Sequence, residues 1–101
     1  MASISTHVLD QVRGRPAAGV TVVLDGPPGT IATGVTNADG RINQLADGLG
    51  PGSYQLTFDL AGYMDAPFFT GVVLRFEVGE ERRYHVPLLA GPFSASTYLG
   101  S

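Results

Sequence analysis

The sequence contains no cysteine, no lysine and no long apolar run, and each absence excludes a class of protein. Without cysteine there are no disulfides, thiolate metal sites or cysteine nucleophiles. All six basic residues are arginines and the net charge is −3, so nucleic acid is not expected as a partner. No segment has the length and apolarity of a membrane span, and the first residues lack the features of a secretory signal. We therefore expect a soluble, cytoplasmic protein with no membrane partner.

Glycine and proline are abundant, with 14 and 7 copies among 101 residues. Together with many Val, Thr, Phe and Tyr residues, they are typical of short strands joined by tight turns. Turn signals recur about every eight to twelve residues, which is the spacing of a sandwich or barrel. The sequence predicts one domain over residues 1–101. We expect it to be an all-β, antiparallel sandwich of seven to eight strands with at most one short helix.

The strands are predicted from alternation and from the turns that separate them. They are Ser3–Leu9, Gly19–Asp25, Thr30–Thr36, Arg41–Leu45, Ser53–Leu60, Gly71–Val78, Arg82–Leu89 and Ser94–Leu99. The connection at 61–67 has room for a helical turn. Gly40 can supply the positive φ that a tight turn before Arg41 requires.

Only two histidines are present, and both are predicted to point away from the core. Period two places His85 on the opposite face of its strand from Tyr84, and His7 is also off the apolar face. Pro87 and Leu89 share the outward face of His85, which is typical of a face covered by another subunit. A histidine at such a strand position is more often half-exposed and without a function than catalytic. Two histidines without a carboxylate pattern also make a poor metal site, so no metal is expected.

Arg41 and the serines carry weaker signals. Arg41 follows a turn, where it is either an exposed charge or a planar donor for carbonyl and carboxylate oxygens. Four serines are nucleophile candidates by residue type alone: Ser5, Ser94, Ser96 and Ser101. None lies in a G-x-S-x-G elbow, so a covalent serine mechanism is not supported. Asp10 is interpreted as a turn former.

Three separated stretches resemble the transthyretin-related family, in the same order and over essentially the whole chain. They are the motifs within residues 5–20, Asn37-Ala38-Asp39-Gly40-Arg41, and the C-terminal motifs within residues 84–101. The chain end is similar to that of the family's hydrolase branch, which ends in Tyr-Arg-Gly-Ser. Here Leu99 stands in place of the arginine. Alternation predicts that its side chain faces away from Tyr98 and Gly100.

The resemblance implies a homotetramer of transthyretin-like (prealbumin-like) sandwiches with active sites at subunit interfaces. It implies hydrolysis of 5-hydroxyisourate to 2-oxo-4-hydroxy-4-carboxy-5-ureidoimidazoline in urate degradation, with no metal or cofactor. The family's catalytic residues fall on His7, Arg41, His85 and Ser101. Its substrate-binding residues fall on His7, Arg41, Tyr98 and Gly100. Either histidine can serve as the general base, because imidazole titrates near neutrality.

Two other functions are compatible with the same fold. One is a transthyretin-like protein that binds a small aromatic ligand between subunits without catalysis. The other is a structural prealbumin-like module of the carboxypeptidase-regulatory type, which shares simple turn and strand signals with this chain. The motifs around the two histidines favour the hydrolase over both.

Overall fold

Nine strands and no helix make up the computed structural model, which describes residues 1–101. They are β1 (Ala2–Asp10), β2 (Arg15–Pro16), β3 (Thr21–Gly26), β4 (Gly29–Val35), β5 (Arg41–Leu49), β6 (Gly52–Asp59), β7 (Gly71–Val78), β8 (Arg83–Ala90) and β9 (Ala95–Thr97). The predicted all-β class is confirmed. The structure has no helix with the length and apolarity needed to cross a membrane.

The strands form two sheets. The first is built around β1, with β8 and then β9 on one side and β2 and β5 along the other. The second has the order β4-β3-β6-β7, and all of its neighbours are antiparallel. A tight turn joins β3 to β4, as the glycine and proline residues there predict. β4 reaches β6 through β5 of the first sheet, and β6 reaches β7 through the connection at 60–70.

One strand pair differs from the predicted antiparallel arrangement. β1 and β8 run parallel, with Ser3 opposite Arg83 and Asp10 opposite Ala90. The whole second sheet lies between these two strands in the chain, so no hairpin forces them to be antiparallel. The count of nine also exceeds the predicted seven to eight. The added strand is β2, whose two residues pair with Leu9 and Asp10 at a point where the sequence predicts only a break.

The inward rows of the two sheets form one core of 17 buried apolar residues. In β6 the alternation places Tyr54, Leu56 and Phe58 inside. In β8 the inward row includes Val86 and Leu88. Each fully buried side chain of this size stabilises the fold by about 1.5–3 kcal/mol. The outward row of β8 is thereby fixed on the opposite face, where it is available for function.

Two strands end at residues other than those predicted. β5 continues to Leu49 rather than ending at Leu45, because it pairs along β1 through register shifts that accommodate extra residues. The last strand ends at Thr97, followed by an isolated pairing between Gly100 and His85. The connection at 61–67 forms a turn in which the Met64 amide donates to the Leu60 carbonyl at 2.7 Å, without continuing into a helix.

Candidate functional site

The two histidines lie on the same outer face of adjacent strands. The parallel register sets Ser5 opposite His85 and His7 opposite Pro87, and residues that are opposite in a sheet share a face. Both imidazoles are half-buried. The prediction that they point away from the core is confirmed. The parallel pairing then brings them together, although 78 positions separate them in the sequence.

Arg41 joins this cluster from the other side of β1, where it pairs with His7. The turn before it is tightly defined. The side-chain oxygen of Asn37 accepts the amides of Asp39 (2.9 Å) and Arg41 (3.0 Å). Gly40 has φ of 74°, as predicted, and a Cβ there would lie 2.4 Å from the Val8 carbonyl oxygen. This turn therefore holds the backbone of Arg41 beside His7, and the exposed Arg41 side chain lies on the same face of the sheet.

The C-terminal segment closes the site on the side of His85. The Gly100 amide donates a 2.7 Å hydrogen bond to the His85 carbonyl. A Cβ on Gly100 would lie 3.0 Å from Cδ2 of His85 and 3.3 Å from Cγ of Pro87. Because Pro87 is buried under this segment, the chain itself covers a position for which the sequence predicts cover from another subunit.

Tyr98 and Ser101 lie at the margin rather than inside the cluster. Ser101 is exposed, one residue beyond the Gly100–His85 pairing. Tyr98 is 59% exposed and borders an apolar cleft of about 230 Å³. Neither hydroxyl bonds to His7, Arg41 or His85 within the chain. The structure therefore brings together four of the predicted site residues and leaves these two beside them.

Leu99 faces away from the histidines. It lines the apolar cleft together with Tyr84 and Val86, which belong to the inward row of β8. This agrees with the prediction that Leu99 and Gly100 face opposite ways. Tyr98 borders the same cleft, however, because β9 ends at Thr97 and strict alternation ends with it.

Two polar residues behind His85 were not predicted as part of the site. The Ser5 hydroxyl lies 2.9 Å from Nδ1 of His85, and Arg83 donates from Nε to the same hydroxyl oxygen at 3.1 Å. Arg83 also donates from a terminal nitrogen to the Asn43 carbonyl at 3.2 Å. Alternation already places Arg83 on the face of His85 and Ser5 on the face of His7, but only the pairing of β1 with β8 shows that these side chains meet.

The electrostatics of the cluster favour the neutral form of His85. Burial lowers its pKa from the ordinary value of 6.5, and the charges of Arg41, Arg83 and His7 lower it further. A neutral imidazole near the Arg41 guanidinium can exchange a proton with water while the guanidinium binds an oxygen of the substrate. The arrangement thus suits general acid–base chemistry on a polar substrate.

Known proteins are similar to this chain over nearly its whole length. A model described as the HIUase/Transthyretin family matches residues 4–100 of the chain. The chain belongs to this family. Within the family, it is 45% identical to the 5-hydroxyisourate hydrolase of Deinococcus radiodurans over 97% of the chain and 95% of that protein. It is 43% identical to the uric acid degradation bifunctional protein of Arabidopsis thaliana, but spans only 37% of that protein's length.

Solved structures of family members have the same fold. The 5-hydroxyisourate hydrolase of Klebsiella pneumoniae superposes with a TM-score of 0.93 at 40% identity, covering 100% of both chains. Sea bream transthyretin, solved in complex with thyroxine, superposes with a TM-score of 0.89 at 32% identity, covering 96% of this chain and 93% of the other. The transthyretin-like sandwich expected from the sequence is thereby confirmed.

Proposed function

We propose that this protein catalyses the hydrolytic ring opening of 5-hydroxyisourate, a step of urate degradation. One observation carries the proposal: His7, Arg41 and His85 meet on one face of a chain that matches 5-hydroxyisourate hydrolases almost from end to end. The product is 2-oxo-4-hydroxy-4-carboxy-5-ureidoimidazoline. Both the enzyme class and the reaction agree with what the sequence motifs predict.

The chemistry fits the side chains in the cluster. Water adds to a ring carbonyl carbon while an imidazole takes one of its protons. The ring C–N bond then breaks, and the leaving nitrogen receives a proton. A positioned general base contributes about 10²–10⁴ in rate. Arg41 stabilises the oxygen that becomes negatively charged, an effect worth about 3 kcal/mol per donor. These roles use only groups of the chain itself, and no metal or cofactor is part of the proposal.

The C-terminal residues form the second part of the proposed site. Gly100 contacts the edge of the His85 ring, so the absence of a side chain lets the terminal segment approach it. Ser101 follows Gly100 directly, and its exposed hydroxyl is suited to bind the oxygen-rich edge of the substrate. Tyr98 is also exposed, but it borders the apolar cleft, so its hydroxyl binds the substrate only if its side chain turns from the cleft toward Gly100.

A homotetramer that encloses this face is part of the proposal. The cluster is open on the outer face of its sheet, and Leu89 remains half-buried on the same face. The exposed Tyr98 and Leu99 add apolar surface beside it. Sedimentation at several concentrations tests the assembly, since a stable and fully active monomer would contradict a site enclosed by subunits. The cytoplasmic location stays a prediction, to be tested by cell fractionation.

The activity is tested by generating 5-hydroxyisourate in place with urate oxidase and following its ultraviolet decay. The protein is expected to accelerate the decay in proportion to its concentration, and His85→Ala is expected to remove the acceleration. Arg82→Met serves as a matched control, because Arg82 lies next to the site strand but stacks on Tyr84. Decay at the spontaneous rate with the parent protein would overturn the proposal.

The alternative of a non-catalytic ligand binder is not favoured. The chain is more similar to the named hydrolases, at 40–45% identity, than to sea bream transthyretin at 32%. The structural-module alternative leaves the meeting of His7, Arg41 and His85 on one face unexplained.

A further inference from the structure

Two hydrogen-bonded side chains, Arg83 and Ser5, lie behind His85 and connect it to a backbone carbonyl on a third strand. Arg83 in β8 donates from Nε to the Ser5 hydroxyl in β1 at 3.1 Å, and that hydroxyl lies 2.9 Å from Nδ1 of His85. A second donor nitrogen of Arg83 reaches the Asn43 carbonyl in β5 at 3.2 Å. Arg83 is therefore held by two hydrogen bonds. One of its two partners, Ser5, is the only residue between Arg83 and the imidazole.

The location of the proton between Ser5 and His85 follows from counting donors and acceptors. A serine hydroxyl has one hydrogen to donate and two lone pairs to accept with. Arg83 can only donate, so its bond occupies one of the lone pairs. Ser5 is 1% exposed, and its only other hydrogen bond is to Nδ1 of His85. A buried hydroxyl hydrogen without an acceptor costs free energy. The Ser5 hydroxyl therefore donates its hydrogen to Nδ1 of His85, which is the acceptor within reach.

An imidazole that accepts at Nδ1 carries its single proton on Nε2. Burial and the neighbouring positive charges lower the pKa of His85, which favours the form of the ring with one proton. Its Nε2–H then points away from Ser5. The His7 ring makes no hydrogen bond within the chain, so its lone pair is available to a water molecule.

We propose that Arg83 and Ser5 are positioning residues that hold His85 as the Nε2–H tautomer, so that His85 donates a proton or hydrogen bond to the substrate and His7 takes the proton of the attacking water. The assignment of the two roles rests on the proposed function. The tautomer itself does not, because it follows from contacts within the chain. This answers which histidine is the base, a question that the sequence motifs leave open.

The tautomer is tested on the parent protein without substrate, by long-range ¹H–¹⁵N NMR of the imidazole nitrogens at neutral pH. The spectrum is expected to show His85 protonated at Nε2 and unprotonated at Nδ1. A proton on Nδ1 would overturn the proposal. This readout needs no variant and does not depend on activity, so its failure is distinct from a failure to hydrolyse 5-hydroxyisourate.

The positioning role is tested with Ser5→Ala and Arg83→Met, and with Ser3→Ala and Arg82→Met as matched controls on the same strand or beside it. Both test variants are expected to shift His85 toward a mixture of tautomers and to lower kcat by about 10- to 100-fold with little change in KM. The controls should keep the parental spectrum and kcat. A circular dichroism spectrum and an unfolding temperature close to those of the parent show that each variant is folded. An unchanged His85 spectrum in both folded test variants would overturn the positioning role.

The assignment of the base is tested by exchanging each histidine separately. His85→Gln keeps an amide N–H donor, so it is expected to retain more kcat than His85→Ala. His7→Gln keeps a donor but no basic nitrogen, so it is expected to be no better than His7→Ala. The reverse pattern would show that His85 is the base, even if the protein hydrolyses the substrate.

Discussion

The amide of Gly100 donates a 2.7 Å hydrogen bond to the carbonyl of His85, which fastens the end of the chain to the strand that carries a site histidine. A Cβ added at Gly100 would lie 3.0 Å from Cδ2 of the imidazole. Cδ2 is bonded to Nε2, the nitrogen that faces the substrate in the proposed mechanism. The C-terminal segment therefore limits where this imidazole can lie.

Gly100→Ala is expected to reduce kcat by up to about 100-fold, because a displacement of about 1 Å at a reacting group has costs of that size. The fold should persist, since Gly100 lies outside the named strands and makes only one isolated pairing. The measurement is the coupled ultraviolet assay with thermal unfolding alongside. Gly50→Ala is the control, because a Cβ at Gly50 meets no atom within 4 Å. Equal activity of both variants would show that Gly100 does not restrain His85.

Gly40→Ala is expected to lower the free energy of unfolding by more than about 3 kcal/mol. The position combines a φ of 74° with a Cβ that would lie 2.4 Å from the Val8 carbonyl oxygen. Gly48→Ala measures the cost of the positive φ without a close contact, because Gly48 has φ of 67° and a Cβ there would meet no atom within 4 Å. That control should lose only about 1–2 kcal/mol in urea unfolding. Equal losses would mean that the close approach to Val8 contributes nothing.

The local features of this site could be predicted from the sequence, whereas its long-range contacts could not. Alternation depends on neighbouring residues only, so it placed His85 on the outer face correctly. The Gly40 turn was likewise predicted from residues a few positions apart. The contact of Ser5 with His85 depends on the parallel register of β1 and β8, strands 80 positions apart. Nothing in either strand specifies that register by itself. The cover that Gly100 provides over Pro87 escaped prediction for the same reason.

Arg41→Ala is expected to lower kcat by about 10²–10³, the usual loss when a donor to a developing oxyanion is removed. It should also raise the pKa of His85, because the charge of Arg41 is one of the causes that lower it. NMR titration of the His85 ring measures this directly. Arg41→Lys keeps the charge but loses the planar pair of donors. It should therefore retain the low pKa while kcat still falls. A rise in pKa with Arg41→Lys equal to that with Arg41→Ala would contradict this separation.

Asp10→Asn is expected to lower the free energy of unfolding at pH 7 by about 1–3 kcal/mol. Burial raises the pKa of Asp10, but hydrogen bonds from the Arg13 amide, the Tyr63 hydroxyl and the Val12 amide outweigh it and leave the pKa lowered. A carboxyl with a lowered folded pKa stabilises the fold above its ordinary value of 3.8. That stabilisation is lost as the pH falls through the folded pKa.

The difference between parent and Asp10→Asn should therefore shrink below pH 3.8, as measured by urea unfolding at several pH values. Asp65→Asn is the matched control, because the Asp65 side chain makes no hydrogen bond within the chain. It should unfold like the parent throughout the range. A difference that stays constant down to the lowest pH would show that the Asp10 charge does not stabilise the turn.

Leu99→Arg restores the residue that the hydrolase branch has at this position, and it is expected to change kcat by no more than about twofold. The Leu99 side chain is 60% exposed and lines the cleft of Tyr84 and Val86, on the opposite side of β8 from His85. Substitutions at exposed positions away from a site change energies by about 0.5 kcal/mol, which corresponds to that factor. Sedimentation should be measured together with kcat, because an arginine there can alter subunit contacts instead. A gain of tenfold or more without a change in assembly would show that the side chain reaches the site, and that Leu99 weakens the natural enzyme.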